Sequence, residues 1–486
     1  MTERRRSGWG GRRGRRRWGR TGREKEMRRL RGIGVLAALA VASAGCASAP
    51  SDAVPPPPEA ADPPRTAPGL RSGDDPTEPL VVRPVPAPVV PPSFVRNALA
   101  RGTRSPDGSP GPDHWRNQAD YDVDAALDPA TGRLTGTATI TYTNRSPLTL
   151  GALVLHLHQN LHAEGVLRNE AAEVTGGVEL VSVRVAGREA REGSPGGPPF
   201  YEVDGALMVV ALPSALPGGG SVELEVEWAV TLPQNSSGRM GWSGREMYYV
   251  AYWFPKVAVF DDLRGWDAEP YTGGAEFYDE FGDYDVRLTV PGGWTVMATG
   301  ELENPAEVYR PVVLERLAAA STADTTIHVV TVEDRLASAV TVEPGEDGLT
   351  YRFTAENVRD FAWTASNMQL WDATSAVVPD RDGDGADDRV LIHAFWRRDR
   401  APLWSEQALY GKQSIEFHSR FTGFAYPWPH MTSVEGDDII RGGMEFPMMT
   451  LIGSYGGRDA SDLFNVTSHE LAHMWIPMIV GTNEKR

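Results

Sequence analysis

Alternating apolar and polar positions dominate the chain after residue 113. The alternation runs over 121–127, stops at a turn over 128–133, and resumes over 134–144 with many threonine residues. Further strand patterns follow, separated by glycine, proline and asparagine: 153–158, 180–185, 207–212, 222–230, 284–290 and 327–332. No long helical period interrupts them. We therefore predict an antiparallel all-β domain over residues 113–370.

The pattern becomes mixed over residues 371–486. Residues 390–395 predict a strand, and residues from about 404 to 421 predict an amphipathic helix. This helix is expected to turn four apolar side chains toward the core: Leu409, Ile415, Phe417 and Phe421. The whole chain is thus predicted to be an α+β multidomain protein, with an all-β domain before an α/β region.

A His-Glu-x-x-His pattern lies within an apolar run in this second region. On a helix, positions i and i+4 share a face, so His469 and His473 are placed to bind one zinc ion. Glu470 then faces a zinc-bound water and acts as the general base. Thr467 or Ser468 is expected to cap the helix. The alternative is a core helix that carries two histidines.

Two further motifs precede this pattern. They are Tyr426-Pro427-Trp428-Pro429-His430 and Gly442-Gly443-Met444-Glu445. In this order, Tyr-Pro-x-Pro, Gly-x-Met-Glu and His-Glu-Leu-Ala-His-x-Trp resemble the membrane alanyl aminopeptidase (aminopeptidase N-like) family of gluzincin zinc metallopeptidases. The resemblance implies a saddle-like β-domain followed by the beginning of a thermolysin-like α/β catalytic domain.

The resemblance also implies roles for individual residues. Glu445 is expected to hold the free α-amino group of a peptide, and the backbone of Gly442, Gly443 and Met444 to lie along it. One zinc ion is the implied cofactor, and peptides with a free N-terminus are the implied substrates. The aromatic stretch 248–255, which we interpret as core, resembles the family segment that lines the active-site cleft.

The chain departs from the family pattern at two places. Phe446 stands where asparagine is usual. The family's third zinc ligand is a glutamate about 19 residues past the second histidine, near position 492 and beyond Arg486. The sequence is therefore expected to be truncated within the catalytic domain, to bind zinc weakly and to be inactive. Glu484 is expected to replace that ligand only if the loop after Pro477 doubles back.

Residues 1–46 form a basic leader with an apolar run. Basic residues over 27–31 precede small and apolar residues, and Cys46 is the single cysteine of the chain. This arrangement resembles a bacterial lipoprotein signal, which implies lipidation of Cys46 and a membrane anchor outside the cytoplasm. Ordinary secretion is the alternative. Residues 47–112 are rich in proline and are predicted to be a disordered tether.

Charge and acidic patterning change the picture in two ways. The chain carries −17 and residues 1–31 carry +11, so the remainder carries −28, which argues against nucleic-acid binding. Carboxylates also alternate as in calcium loops: Asp380, Asp382, Asp384 and Asp388. Leu391 occupies the place where an EF-hand needs glutamate. A possible calcium site and an acidic surface turn both remain open.

Three functions follow from these observations. The first is an extracytoplasmic zinc aminopeptidase with Glu470 as general base and Glu445 as the amine-binding residue. The second is a non-catalytic surface lipoprotein that binds peptides or glycans, because the third zinc ligand lies outside the sequence. The third is an epoxide hydrolase that resembles the bifunctional leukotriene branch of the family.

Overall fold

The computed structural model describes residues 90–193 and 196–485. The predicted leader, Cys46 and residues 47–89 of the predicted tether lie outside the described residues. The prediction of disorder is wrong for the rest of the tether, because Ser93–Ala100 is a helix and the Thr103 hydroxyl donates to buried Asp262 at 2.6 Å. From Pro88 onward the chain forms one compact unit. It is a mixed α+β structure in which strands are the main element. Among the described residues, no helix is long and apolar enough to cross a membrane.

The strands are numbered in chain order. The first nine are β1 (Gln118–Asp128), β2 (Arg133–Thr143), β3 (Leu150–His156), β4 (Val178–Val185), β5 (Arg188–Glu189), β6 (Arg191–Glu192), β7 (Phe200–Asp204), β8 (Leu207–Leu216) and β9 (Ser221–Thr231). The next nine are β10 (Asn235–Ser236), β11 (Met240–Ser243), β12 (Met247–Val250), β13 (Lys256–Val257), β14 (Phe260–Asp261), β15 (Gly265–Trp266), β16 (Gly282–Val290), β17 (Thr295–Ala298) and β18 (Glu301–Leu302).

The remaining strands lie in the second half of the chain. They are β19 (Ile327–Val330), β20 (Leu349–Val358), β21 (Trp363–Ser366), β22 (Leu370–Val378), β23 (Asp388–Trp396), β24 (His430–Glu435), β25 (Gly443–Phe446) and β26 (Met449–Ile452). The α-helices are α1 (Ser93–Ala100), α2 (Pro305–Val308), α3 (Pro311–Ala320), α4 (Val332–Leu336), α5 (Gln407–Thr422) and α6 (Ala460–Ala472).

The largest sheet has the strand order β18-β20-β16-β1-β2-β9-β4-β5. Its centre is the predicted hairpin β1–β2, in which buried and exposed residues alternate so that one face packs on the core. The prediction that all strands of this region pair antiparallel is wrong for two pairs, β1 with β16 and β6 with β7. Tyr121 on β1 lies opposite Tyr284 on β16, and their rings stack at 4.8 Å.

Helices interrupt the strand-rich region, which the sequence interpretation did not anticipate. Pro305 and Pro311 occupy the first helical positions of α2 and α3, where a missing N–H costs nothing. Thr331 and Asp334 form a reciprocal capping box at the start of α4. The helices are too short for their apolar repeat to stand out from the alternation of the surrounding strands, so sequence periodicity does not detect them.

The sheet that positions the site has the order β19-β22-β23-β24-β26-β25. β23, β24 and β26 run parallel, and β25 is an antiparallel edge strand beside β26. α6 packs against β25 and β26, and α5 packs against β22, β23 and α6. β19, on the N-terminal side of the predicted boundary at residue 370, pairs with β22 on the other side.

The inward face of α5 differs from the prediction. Ile415 is buried, but Phe417 and Phe421 are 57% and 76% exposed and stack on each other at 5.5 Å. Small residues take the inward positions: a Cβ added to Gly411 would lie 2.8 Å from Ile392 Cγ2. The helix therefore packs on the sheet through the face that carries Gly411 and Ile415, and Phe417 lies on the opposite side of the helix.

Buried charges are paired beneath this sheet. Two of the three guanidinium nitrogens of Arg397, Nε and Nη2, donate to the Glu435 carboxylate at 2.7 and 2.8 Å, with side chains 8% and 0% exposed. Lys256 lies 2.9 Å from Asp360 and 3.2 Å from Asp279. Such pairs are costly to break, because removing one partner leaves an uncompensated charge in the interior.

Candidate active site

The helix α6 carries the His-Glu-x-x-His pattern on its last turn. Its N-cap is Asp459, whose Oδ1 accepts from the backbone N–H groups of Ser461 (2.9 Å) and Asp462 (3.1 Å). The prediction that Thr467 or Ser468 caps the helix is wrong, because the helix begins about two turns earlier. Thr467 instead donates to the Leu463 carbonyl at 2.8 Å inside the helix.

The two histidines meet at their Nε2 atoms. His469 Nε2 and His473 Nε2 are 3.2 Å apart. His473 is the C-cap of α6, but it keeps helical backbone dihedrals, so the i, i+4 spacing of the helix still holds for this pair. Two nitrogens bound to one tetrahedral zinc at 2.0–2.1 Å would be about 3.3 Å apart. His473 Nδ1 donates to the Ile476 carbonyl at 3.0 Å, which leaves the Nε2 lone pair free for a metal. The pair therefore fits zinc.

Two carboxylates lie close to the histidine pair. Carboxylate oxygens of Glu445 and Glu470 lie within 4.8 Å of a ring nitrogen of His473 and of each other. Among residues 90–193 and 196–485, no such group of three includes His469. The third ligand near position 492 therefore stays a prediction.

Glu470 is buried against the backbone of Gly443. It is 4% exposed, and its Oε2 has no hydrogen-bond partner among the described residues. A Cβ at Gly443 would lie 2.3 Å from the Glu470 Cδ atom. Only glycine at position 443 therefore leaves room for the Glu470 carboxyl group. Burial, followed by the charge of Glu445, raises the pKa of Glu470 to about 8. A carboxyl of this kind exchanges protons near neutral pH, as a general base or acid does.

Glu445 lies on β25 and points toward the same space. It is 3% exposed, and its Oε1 lies 3.8 Å from His473 Nδ1 without a hydrogen-bond partner in the described chain. Burial raises the pKa of Glu445 to about 8, and the charges of Glu276 and Glu484 contribute. A buried carboxylate without a donor is stabilised by a cation, so the position is suited to bind one.

Two carboxylates at the site were not identified as site residues from the sequence. Glu276 precedes β16 and is paired with Arg239 at 3.0 Å. Glu484 lies where the chain has turned back after α6, and its N–H donates to the Phe277 carbonyl at 3.1 Å. Oxygens of Glu276, Glu445 and Glu484 lie within 4.8 Å of one another. The loop thus doubles back, yet it places Glu484 beside Glu445 rather than in a ligand group with His469.

No sequence signal would have found Glu276, which lies in a loop without periodicity. Glu484 was considered as a zinc ligand because it is the only acidic residue after Glu470. Its position depends on the turn at Met474–Ile479, where Ile476 leaves the helical region of backbone dihedrals.

Phe446, the residue after Glu445 on β25, packs against buried aromatic rings. The ring of Phe446, at the place where the family pattern has asparagine, lies 5.9 Å from Tyr249, 5.5 Å from Tyr252 and 5.4 Å from Phe277. All four side chains are buried, which confirms the interpretation of the stretch 248–255 as core. A phenylalanine at position 446 thus joins the site strand to the core.

The structure separates the four candidate calcium residues. Carboxylate oxygens of Asp380, Asp382 and Asp384 lie within 4.8 Å of one another. Asp388 instead accepts from the Arg381 N–H at 2.7 Å and pairs with its guanidinium. Asp380 accepts hydrogen bonds from three backbone N–H groups of its own turn. These bonds stabilise the loop as an acidic surface turn without a metal ion. Calcium at this loop stays a prediction.

Comparisons with known proteins gave distant structural matches. No family model and no curated protein matches the sequence. Among solved structures, an M1 zinc metallopeptidase from Deinococcus radiodurans is 15% identical, with a TM-score of 0.45, and the match covers 77% of this chain and 67% of that one. A mutant of that enzyme is 16% identical (TM-score 0.43; 77% and 68% covered).

A third solved structure is a two-domain M1 zinc metallopeptidase mutant bound to L-arginine. It is 15% identical, with a TM-score of 0.44, and the match covers 77% of this chain and 68% of that one. At these identities and TM-scores no role is transferred from these structures to a residue. The side chains of this chain alone are therefore the basis of the function proposed below.

Proposed function

We propose that the protein is a zinc-dependent aminopeptidase of the aminopeptidase N-like family. The observation that carries the proposal is the pair of Nε2 atoms on α6, 3.2 Å apart, with buried Glu470 between the histidines in sequence. A general base beside a two-imidazole metal position is the arrangement of a metallopeptidase. The unpartnered carboxylate of Glu445 adds the means to select a free N-terminus.

Each residue has a defined part in the proposed reaction. His469 and His473 would hold zinc through Nε2, and the carbonyl of Ile476 keeps the His473 ring in the required tautomer. Zinc held by these histidines would supply Lewis-acid polarisation of the scissile carbonyl and a water of lowered pKa, roughly 7. Glu470 would accept a proton from the attacking water on its carboxylate and later donate it to the leaving amine.

Glu445 would restrict cleavage to the N-terminal end of the peptide. Its buried carboxylate would pair with the substrate ammonium, so only the first peptide bond reaches the histidine pair. The strand β25, which begins at Gly443, would lie along the substrate backbone beside Gly442 and Met444. Such a charge-assisted pair is worth roughly 1.5–3 kcal/mol.

The wider assignments belong to the same proposal. Residues 113–370 would form the saddle-like β-domain and residues 371–486 the first part of the thermolysin-like domain, with the third zinc ligand near position 492. Cys46 would carry the lipid, and the proline-rich residues between it and α1, 47–92, would lift the enzyme off an extracytoplasmic membrane surface. Peptides with a free N-terminus would be the substrates.

Zinc content and hydrolysis of aminoacyl amides test the proposal, on a chain that continues through position 492 and the rest of the catalytic domain. The Glu470→Gln variant should keep its zinc and lose hydrolysis, because the ligands remain while the base is removed. The His469→Ala variant should lose zinc. Full activity in Glu470→Gln would exclude the assigned mechanism. Peptide binding by wild-type protein without zinc or hydrolysis would favour the non-catalytic alternative, and turnover of an epoxide would favour the hydrolase.

Selectivity tests the role of Glu445 separately. Glu445→Gln should lower kcat/KM for free-amine substrates roughly 10- to 100-fold, because it removes the charge that faces the ammonium. N-acetylated substrates should be poor for both forms. An equal loss on blocked and unblocked peptides would show that Glu445 supports the structure instead.

A further inference from the structure

Three glutamates from separate parts of the chain meet beside the histidine pair. Glu276 comes from the loop before β16, Glu445 from β25, and Glu484 from the segment that follows the turn at Met474–Ile479. One oxygen of each lies within 4.8 Å of the other two. Glu445 is 3% exposed, and its Oε1 lacks a hydrogen-bond donor within the described chain. This buried, unpartnered oxygen indicates that the cluster receives a ligand.

The spacing of the three carboxylates suits one primary ammonium group. An ammonium carries three N–H donors in tetrahedral directions. Acceptors about 2.8 Å from the nitrogen along those directions lie about 4.6 Å apart. The 4.8 Å spread of the cluster accommodates this arrangement, with one acceptor from each glutamate.

Glu484 is held in place by several bonds to the strand-rich part of the molecule. Its Oε2 accepts from the Phe277 N–H at 3.1 Å, which leaves its other oxygen available. The next residue, Lys485, is buried and lies 2.5 Å from Asp267. The Arg359 guanidinium donates to the Pro477 carbonyl at 2.9 Å. The segment is therefore fixed on both sides of Glu484.

We propose that Glu484 is a specificity-determining residue that, with Glu276 and Glu445, accepts one hydrogen bond each from the primary ammonium of the substrate. This inference rests on the proposed aminopeptidase function and refines it. It assigns the enzyme to peptides with a primary N-terminal amine. N-methylated termini and N-terminal proline carry only two N–H donors, so one of the three glutamates is left without a partner.

Calorimetry on the zinc-free full chain tests this contact independently of hydrolysis. The ligands are L-leucinamide, N-methyl-L-leucinamide and N-acetyl-L-leucinamide. We expect Glu484→Gln to weaken leucinamide binding about tenfold, the range of one charge-assisted hydrogen bond. The N-methyl ligand should lose less, because it already lacks one donor. The N-acetyl ligand should bind to neither form.

Two variants serve as controls for the charge and for the fold. Glu346→Gln makes the same substitution at an exposed turn and should leave all affinities unchanged. Glu484→Asp keeps the charge and shortens its reach, so it should fold as wild type does and lose part of the affinity. If Glu484→Gln fails to fold, the aspartate variant alone decides the question.

Several results would overturn the inference. Equal losses for leucinamide and its N-methyl form would show that Glu484 only positions its neighbours. Unchanged affinity in Glu484→Gln, or no leucinamide binding by the wild type, would remove the contact altogether. Calcium or manganese binding that depends on Glu484, without leucinamide binding, would make the cluster a metal site. Failure of zinc binding or hydrolysis alone would instead contradict the proposed function.

Discussion

Replacing Gly443 by alanine is expected to displace Glu470 while the fold persists. The added Cβ would lie 2.3 Å from Cδ and Oε1 of Glu470 and 2.4 Å from Cγ. Ordinary carbon contacts begin near 3.5 Å, so the carboxyl must move by about 1 Å or more. The strand itself is held by its pairing with β26, where Gly443 lies opposite Ile452.

The expected effect on activity is much larger than the effect on stability. The clash falls on the flexible end of a side chain, which can turn away at little cost to the folded state. A misplacement of about 1 Å in a catalytic group costs about 100-fold in rate, or about 2.7 kcal/mol in transition-state stabilisation. We therefore expect kcat/KM to fall about 100-fold and the melting temperature to change by only a few degrees.

Gly151 provides a matched control on β3, which belongs to a different sheet from the site. A Cβ at this position meets no atom within 4 Å, so Gly151→Ala should behave as the wild type. The assay compares hydrolysis of leucine p-nitroanilide, zinc content and thermal unfolding for the three proteins. Wild-type activity in a folded, zinc-bound Gly443→Ala protein would refute the reasoning, as would an equal loss in Gly151→Ala.

Two further predictions concern stability. Burial opposes the ionisation of Asp267, but the hydrogen bond from His156 and the charge of Lys485 lower its pKa to about 2. Ionised Asp267 contributes about 2 kcal/mol to the free energy of unfolding above pH 4, and this contribution is lost as the pH falls toward 2. In urea unfolding, the difference in free energy of unfolding between wild type and Asp267→Asn should therefore shrink between pH 4 and pH 2. A difference that stays constant over this range would contradict the prediction. Arg397→Ala should cost about 3–5 kcal/mol because it leaves Glu435 buried and unpaired, and the double variant with Glu435→Leu should recover much of it.

Local patterns predicted the parts of the fold that depend on local sequence. The hairpin of β1 and β2 lies within a few residues of its predicted bounds, because alternation and a turn determine both strands. The approach of His469 to His473 likewise follows from helical spacing alone. Neither feature needs information from elsewhere in the chain.

Features that depend on distant residues could not be predicted in this way. The parallel pairing of Tyr121 with Tyr284 has no local signal, since about 160 residues and strands β2 to β15 lie between them. The exposure of Phe417 depends on which face of α5 packs on the sheet, and Phe417 lies about 200° around the helix from buried Ile415. Glu276 and Glu484 meet only because two loops are packed together, so the carboxylate cluster becomes visible only in three dimensions.

The parallel neighbour of β1 bears on how the chain is synthesised and folded. β1, β2, β9 and β4 all lie before residue 232, so they can associate soon after they leave the ribosome. β16 follows about 160 residues after β1, and such late contacts slow folding. Until it arrives, the β1 edge is open to pairing with another nascent chain.

The side chains on that edge bear on this hazard. Asp122 and Asp124 are exposed on β1 and repel the same edge of a second chain. When β16 docks, Arg287 bonds to Asp124 at 2.6 Å and pairs with Asp122, which converts the repulsion into an attraction. The same carboxylates thus protect the incomplete sheet from aggregation and then select the strand that completes it.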